Sequence, residues 1–332
     1  MTPLADESAL IAELRVIAEQ GRHREVLERL RAMPAQAAER STAFALLAAE
    51  AHGRMGEYPE AQRWTDLAFV VARARGDRQA DLRALNYRGA IALLRGDVDE
   101  ADRLFAEVVD LARTVQDHLV EARALNNMGI IAFFRGDVES ALANYHLALA
   151  AYQQAGLVRG MAETHHNIGN SWRHRGDHRR ALAAAEQSVR LAMQVNDDTL
   201  LGLAMMGRAE THLLMGDREL AAAELERVAQ VYDRLQFEGL RPELWRLQAA
   251  VARARGDLAA ALRLLHAAAD AATRQGGAEM LAGIERDLGS ALQVQGDSAG
   301  ARAAWERAIA LYRRLGALHA VQEIAALIRR GV

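Results

Sequence analysis

The chain of 332 residues has no cysteine and, although 41 of its residues are basic, no lysine. Without a thiol there can be no disulfide, no thiolate nucleophile and no cysteine-bound zinc. Without an ammonium group there is no Walker A loop, no Schiff-base enzyme and no Ser-Lys dyad. Aromatic residues are only 5% of the chain and prolines number 4. No apolar run approaches the length of about 18 residues that a membrane span requires, so none is expected. Met1 to Glu7 shows no basic stretch leading into an apolar one, which predicts a chain without a signal peptide, in the cytoplasm. The 41 arginines face 44 acidic residues, leaving a net charge of -3, which argues against non-specific nucleic-acid binding. All-arginine usage fits a GC-rich genome. What is abundant is alanine, roughly a fifth of the chain against a far lower average. Alanine, leucine, arginine and glutamate lose little side-chain freedom in a helix, so the composition predicts an all-α fold.

A strict internal period organises these helices. Met55-Gly56-Glu57, Arg95-Gly96-Asp97, Arg135-Gly136-Asp137, Arg175-Gly176-Asp177, Met215-Gly216-Asp217, Arg255-Gly256-Asp257 and Gln295-Gly296-Asp297 recur every 40 residues. Seven positions before each glycine stands a small residue: Ala49, Gly89, Gly129, Gly169, Ala209, Ala249, Gly289. Five positions after each stands an alanine, from Ala61 to Ala301. This spacing predicts two antiparallel helices, A and B, that cross where a small residue faces a small residue. The glycine suits the left-handed end of helix A, and the aspartate is placed to cap helix B, with Glu100 completing one Asp-x-x-Glu box. Gly76, Gly156, Asn196, Gly276 and Gly316 mark the ends of the B helices, with Gln116 and Gln236 as exceptions.

The pattern small-x6-Gly-Asp-x3-Ala-x6-Ala resembles the tetratricopeptide repeat (TPR) in its 40-residue form. That form is familiar from the maltose-activator sensor domain, LGN/Pins adaptors, kinesin light chains and Rap/PlcR regulators. The resemblance covers residues 42–316 and implies a right-handed superhelix, an α-α solenoid of seven helix-turn-helix repeats. Residues 1–41 read as a degenerate capping hairpin turning at Gly21, and residues 317–332 as a C-terminal capping helix, because end repeats of a solenoid must hide an apolar face. One continuous array replaces the two domains that length alone would suggest.

Several motifs that mimic chemistry dissolve in this register. Gly296-Asp297-Ser298-Ala299-Gly300 matches a nucleophile elbow, which needs a strand before the serine; here a helix precedes it. The four Arg-Gly-Asp triplets span a helix end, a turn and a cap. His165, His166, His174 and His178 cluster in the fourth repeat. His166 and His174 lie eight residues apart on one helix, about 12 Å, too far to share a metal. His174 and His178 straddle a turn with no carboxylate suitably spaced. No catalytic residue, metal site or cofactor is expected.

The resemblance also implies that one face of each A helix lines a groove. In the second to fourth repeats the groove positions include Arg83, Asn86, Tyr87, Arg123, Asn126, Asn127, Ile130, Phe133, His166, Asn167, Asn170 and Arg173. Asparagine is a middling helix former, yet five of the chain's few asparagines stand here. Their amides can pair with both sides of a peptide backbone, and the arginines can fork onto carboxylates. The expected function is a non-enzymatic scaffold that binds an acidic peptide or protein segment, with no nucleic-acid or membrane partner. A regulatory sensor domain that binds a small molecule or signalling peptide and controls a partner protein is the alternative. The apolar spacing of Val321 to Ile328 leaves homo-oligomerisation through terminal helices open.

Overall fold

The computed structural model of the chain describes residues 4–19, 22–33, 41–55, 57–275 and 277–331. The expected turns at Gly21, Gly56 and Gly276 lie outside these residues. Among them the backbone forms seventeen helices and no strand. The first two, α1 (Leu4–Glu19) and α2 (His23–Arg31), form the N-terminal hairpin, followed by α3 (Thr42–Arg54) and α4 (Tyr58–Arg75). Then come α5 (Arg78–Arg95), α6 (Val98–Val115), α7 (His118–Phe134), α8 (Val138–Gln154), α9 (Val158–His174) and α10 (His178–Gln194). The series ends with α11 (Asp198–Leu214), α12 (Arg218–Leu235), α13 (Arg241–Ala254), α14 (Leu258–Gln275), α15 (Ala278–Gln295), α16 (Ser298–Arg314) and α17 (Leu318–Gly331). Consecutive helices pack as antiparallel pairs, the arrangement of an α-α solenoid. Pro59 and Pro242 sit in the first turns of α4 and α13, where a missing N–H costs nothing.

Packing divides the chain into two compact units, Met1–Asn127 and Met128–Val332, with the division inside α7. In the first, Leu14, Ile17, Val26, Leu27 and Leu30 of the N-terminal hairpin pack onto Phe44, Leu47, Ala48 and Ala51 of α3. In the second, each helix pair shares its apolar face with the next. Ala301, Trp305, Ala308 and Tyr312 of α16 meet Ile324 of α17, with Phe134, Val321, Leu327 and Ile328 packed around them. The apolar stripe of the last helix is therefore occupied within its own chain.

The helix ends follow a period of twenty, half the sequence repeat. Gly76, Gly96, Gln116, Gly136, Gly156, Gly176, Asn196, Gly216, Gln236, Gly256, Gly296 and Gly316 all have positive φ. At each such turn a backbone N–H reaches back to a carbonyl three residues earlier, as Gly96 N does to Leu93 O at 3.0 Å. The next N–H usually reaches five back, as Asp97 N does to Ala92 O at 2.8 Å. This pair of bonds is the Schellman closure, which needs a left-handed residue. Gln116 (φ 58°) and Gln236 (φ 50°) are thus no exceptions to the geometry, only to the residue type. Their side chains are held where a Cβ crowds the backbone, at about 1 kcal/mol each.

Aspartate then starts the next helix. Asp137, Asp177, Asp257 and Asp297 accept from the backbone N–H three residues on at 2.9–3.1 Å, capping B helices as expected. Asp77, Asp117 and Asp197 do the same for A helices. Asp97 makes no such bond, and Glu100 closes no capping box: its carboxylate takes two hydrogen bonds from Arg103, which lowers its pKa. The Arg-Gly-Asp triplets are structural by the same logic. Arg255 pairs with Glu219 of the preceding repeat at 2.6 Å, and Arg175 with Glu139. Ser298 opens α16 after the left-handed Gly296, so no nucleophile elbow exists there.

The small-residue landmark departs from the expectation at three repeats, where it does not face another small residue but receives a ring. A Cβ on Gly89 would lie 2.8 Å from Phe105, on Gly129 2.4 Å from Tyr145, and on Gly289 2.5 Å from Trp305. At Gly169 the residue opposite is Ala185, and the nearest atom, Ala181 O, is 3.5 Å away. Close approach of backbone to a buried ring explains glycine at the first three positions, where any side chain overpacks the core.

These contacts set the direction of two stability effects. Gly129→Ala should destabilise the protein by about 1–3 kcal/mol through overpacking, whereas Gly169→Ala should be neutral or stabilising by up to about 1 kcal/mol from helix propensity. Denaturant melts that ranked the two variants the other way would refute the insertion of rings against glycine. Gln116→Gly and Gln236→Gly should each raise stability by a few tenths up to about 1 kcal/mol; unchanged or lowered midpoints would show that the left-handed turns carry no strain.

Candidate functional site

In the first unit, α5 and the start of α7 carry six of the residues expected at a groove. Arg83 is half-buried and Arg123 exposed, and neither has an acidic partner among the described residues. Asn86 is buried to 7% exposure, with its amide oxygen accepting no hydrogen bond. That is costly, about 1–3 kcal/mol for a buried acceptor left unmet. Beside it, the Tyr87 hydroxyl donates to Glu50 Oε2 of α3 at 2.8 Å, tying two A helices together. Asn126 and Asn127 are half-buried further along α7. This half of the set therefore offers guanidiniums with no internal counter-charge.

The second unit treats its charges in the opposite way. Ile130 and Phe133 are half-buried, and the Phe133 ring meets His174 edge-on at 5.5 Å. Asn167 and Asn170 lie half-buried on α9, with the Asn170 side-chain oxygen taking a hydrogen bond from Arg173. Arg173 also donates to Gly207 O at 3.0 Å and Thr211 Oγ1 at 3.3 Å, and pairs with Glu210 at 2.9 Å. His166 sits against Gly207 of α11, and a Cβ there would lie 2.9 Å from its Nδ1. Burial, with Arg173 adding to it, pushes the His166 pKa down to about 4, so its ring is neutral at pH 7.

Arg173 is one end of an ion-pair ladder that runs from α9 to α15. Glu210 also accepts from Arg246 at 3.1 Å; Arg246 in turn grips Glu243 at 2.7 and 2.9 Å and Asp287 at 2.8 Å. Asp287 then takes Arg286 at 3.0 Å. Three guanidiniums (Arg173, Arg246, Arg286) meet three carboxylates (Glu210, Glu243, Asp287), so the ladder is neutral. Burial opposes ionisation of Glu210, but Arg173 and Arg246 outweigh it and hold the pKa at about 2. Asp287 is held at about 2 in the same way by Arg286 and Arg246. The sequence signal for the ladder exists: opposite charges recur at groove positions about one repeat apart. Spacing alone does not say which long side chain reaches which neighbour.

The two halves of the expected site thus differ in what remains available to a ligand. Arg173 stands where the repeat register put it, and its guanidinium is taken up by its own chain. Arg83 and Arg123 are not so engaged.

Breaking the ladder gives a direct check. Arg246→Met, which leaves the part-buried Glu243 without its partner and takes one of two partners from Glu210 and Asp287, should cost roughly 3–5 kcal/mol. The acid response carries a defined sign. The pKa of Glu210 is depressed on folding, so its contribution is complete above the unfolded value and is lost as pH falls towards about 2. His166 acts in the same direction, because the unfolded ring protonates below its ordinary value while the folded ring resists until about 4. Glu210→Gln should therefore lose less stability than the wild type between about pH 4.5 and 2. Parallel pH profiles for the two proteins would contradict the ladder.

With this geometry in place, comparison with known proteins is informative. Residues 81–154 match the family model described as tetratricopeptide repeat, a span running from α5 to the end of α8 and including Arg83 and Arg123. No curated protein matches the chain in sequence. Among solved structures, a Rap protein complexed with competence and sporulation factor aligns with a TM-score of 0.62 at 12% identity, covering 99% of this chain and 98% of the other. The Rap conjugation gene regulator of plasmid pLS20, complexed with the Phr* peptide, gives 0.68 at 12% identity, covering 82% and 74%. Aspartyl phosphate phosphatase F from Bacillus subtilis gives 0.56 at 12% identity, covering 92% and 91%. At such identities the likeness is one of fold.

Proposed function

We propose that this tetratricopeptide-repeat protein is a non-enzymatic scaffold that binds an acidic peptide or protein segment along the groove positions of its A helices. One observation carries the reading: at the groove positions of the first unit Arg83 and Arg123 have no acidic partner among the described residues, whereas Arg173 and Arg246 of the second unit are taken up by carboxylates of the chain itself. A guanidinium offers a planar fork that matches a carboxylate, and two of them on A helices of neighbouring repeats would favour a ligand with two acidic groups. Asn86 lies one turn from Arg83, and its unmet amide oxygen would accept a ligand N–H once the side chain turns outward. On α7, Asn126 and Asn127 follow Arg123, and Ile130 and Phe133 continue along the helix as apolar contacts. In the second unit, taken by itself, His166, Asn167 and Asn170 are the polar candidates on α9, and Arg173 holds Asn170 in place.

One structural relative is complexed with the Phr* peptide and another with competence and sporulation factor, which supports a peptide as ligand class and a regulatory setting for it. The alternative of a small-molecule sensor finds less support in two recesses of the second unit. The one beside Arg246 and Asp287 measures about 10 Å³, room for a single water molecule. The larger one, of about 760 Å³ beside His178 and Met215, is a wide-open surface hollow and not an enclosed pocket.

A displayed library of random peptides tests the reading before any partner is identified. The wild type should enrich sequences with aspartate or glutamate at fixed spacing. Arg83→Ala with Arg123→Ala should lose that enrichment, and Arg123→Ala with Asn127→Ala should weaken binding of the selected peptides at least about 10-fold, as loss of charged hydrogen bonds implies. Helicity and melting should stay unchanged. Equal enrichment by the double variant would overturn the site.

A further inference from the structure

One cluster of side chains serves neither the ladder nor the peptide-binding positions. It forms where α17 meets the ends of α7 and α9 within the second unit. The His319 side chain rests on the turn at Gly136, where a Cβ would lie 3.1 Å from its own Cβ. Its ring meets His174 edge-on, with centroids 4.6 Å apart at 73°. Four residues further along α17, and so on the same face, Glu323 places Oε1 3.7 Å from His319 Nδ1. One donor atom from each of His174, His319 and Glu323 lies within 4.8 Å of the other two.

A further observation points to a ligand at this spot. His319 Nδ1 is shielded from solvent and has no hydrogen-bond partner, although the side chain as a whole is 41% exposed. Within its own repeat His174 has no suitably spaced carboxylate. Both partners come instead from the last helix, which no local spacing could reveal.

We propose that His174, His319 and Glu323 bind a divalent transition-metal ion of the zinc type, which clamps α17 to the end of α9. Two imidazoles and one carboxylate suit zinc, leaving a fourth tetrahedral position to water. Metal–ligand bonds of about 2.0–2.2 Å would bring the donors to roughly 3.4 Å from one another. Rotation of the exposed His174 and Glu323 side chains covers that contraction without moving a helix. Binding would add a strong cross-link where α17 otherwise meets the third repeat through Phe134 and the Gly136 turn. The clamp would adjoin Phe133, which touches His174, so it would also brace the apolar end of α7.

Titration of the metal-free full-length chain with zinc chloride, followed by calorimetry, tests this, with cobalt chloride as a spectroscopic probe. The wild type should bind one ion per chain, give the intense visible bands of a four-coordinate cobalt site, and melt at a higher temperature with zinc. His319→Ala and His174→Ala should each weaken zinc at least about 100-fold, since even outer-shell changes cost about 10–100-fold. Glu323→Gln, which preserves shape, should weaken it similarly and lose the melting shift, while His266→Ala on α14 should behave as wild type. Zinc should also slow amide exchange across residues 318–331. No binding below millimolar zinc, or binding that survives His319→Ala and Glu323→Gln, would overturn the site. Stoichiometric binding without slower exchange of α17 would overturn the clamp.

Discussion

The structure depends on one backbone constraint: a left-handed residue that stops a helix every twenty positions. From Gly76 to Gly316 this conformation recurs with no slip of register among the described residues, whether the residue is glycine, asparagine or glutamine. A helix closed in this way has a fixed length, so every A helix presents the same side-chain positions on the same face. The aspartate that follows the turn in most cases starts the next helix at once. Regular packing and a regular array of ligand-facing positions are both consequences of that count.

Within this frame, glycine at the A-helix landmark decides how much ring the B helix can insert. Gly89, Gly129 and Gly289 admit Phe105, Tyr145 and Trp305, three of the chain's scarce aromatics. The same register lets charged side chains from successive A helices meet. In the second unit they neutralise one another from Arg173 to Arg286, a buried network that fixes geometry more than it adds stability. At the groove positions of the first unit, Arg83 and Arg123 remain without acidic partners among the described residues. That asymmetry, and not the simple presence of arginine, is the basis for an acidic ligand.

Much of this is legible in the residues. The 40-residue spacing of Gly-Asp, the alanine five positions on and the small landmark give the helix pairs and their order. The left-handed Gln116 and Gln236 escape such a reading because glutamine carries no turn signal; only the twenty-residue count exposes them. The partner of each glycine escapes it too, because the facing residue, a ring at some repeats and an aliphatic side chain at others, has no fixed identity in the repeat. Among the candidate site residues, Arg83 and Arg123 cannot be told from Arg173 by sequence, since all three share the register. Whether a guanidinium is engaged depends on which carboxylate the next repeat places within reach. The His174, His319 and Glu323 cluster is illegible for a different reason: it joins the fourth repeat to the last helix, a pairing with no periodic trace.

The guanidiniums of Arg83 and Arg123 carry the functional conclusion, and reversing their charge tests it most directly. Arg83→Glu with Arg123→Glu, screened against the same random-peptide library as the wild type, should switch the selected sequences from acidic to basic while the melting temperature stays the same. Persistence of acidic selection in the charge-reversed protein would contradict it.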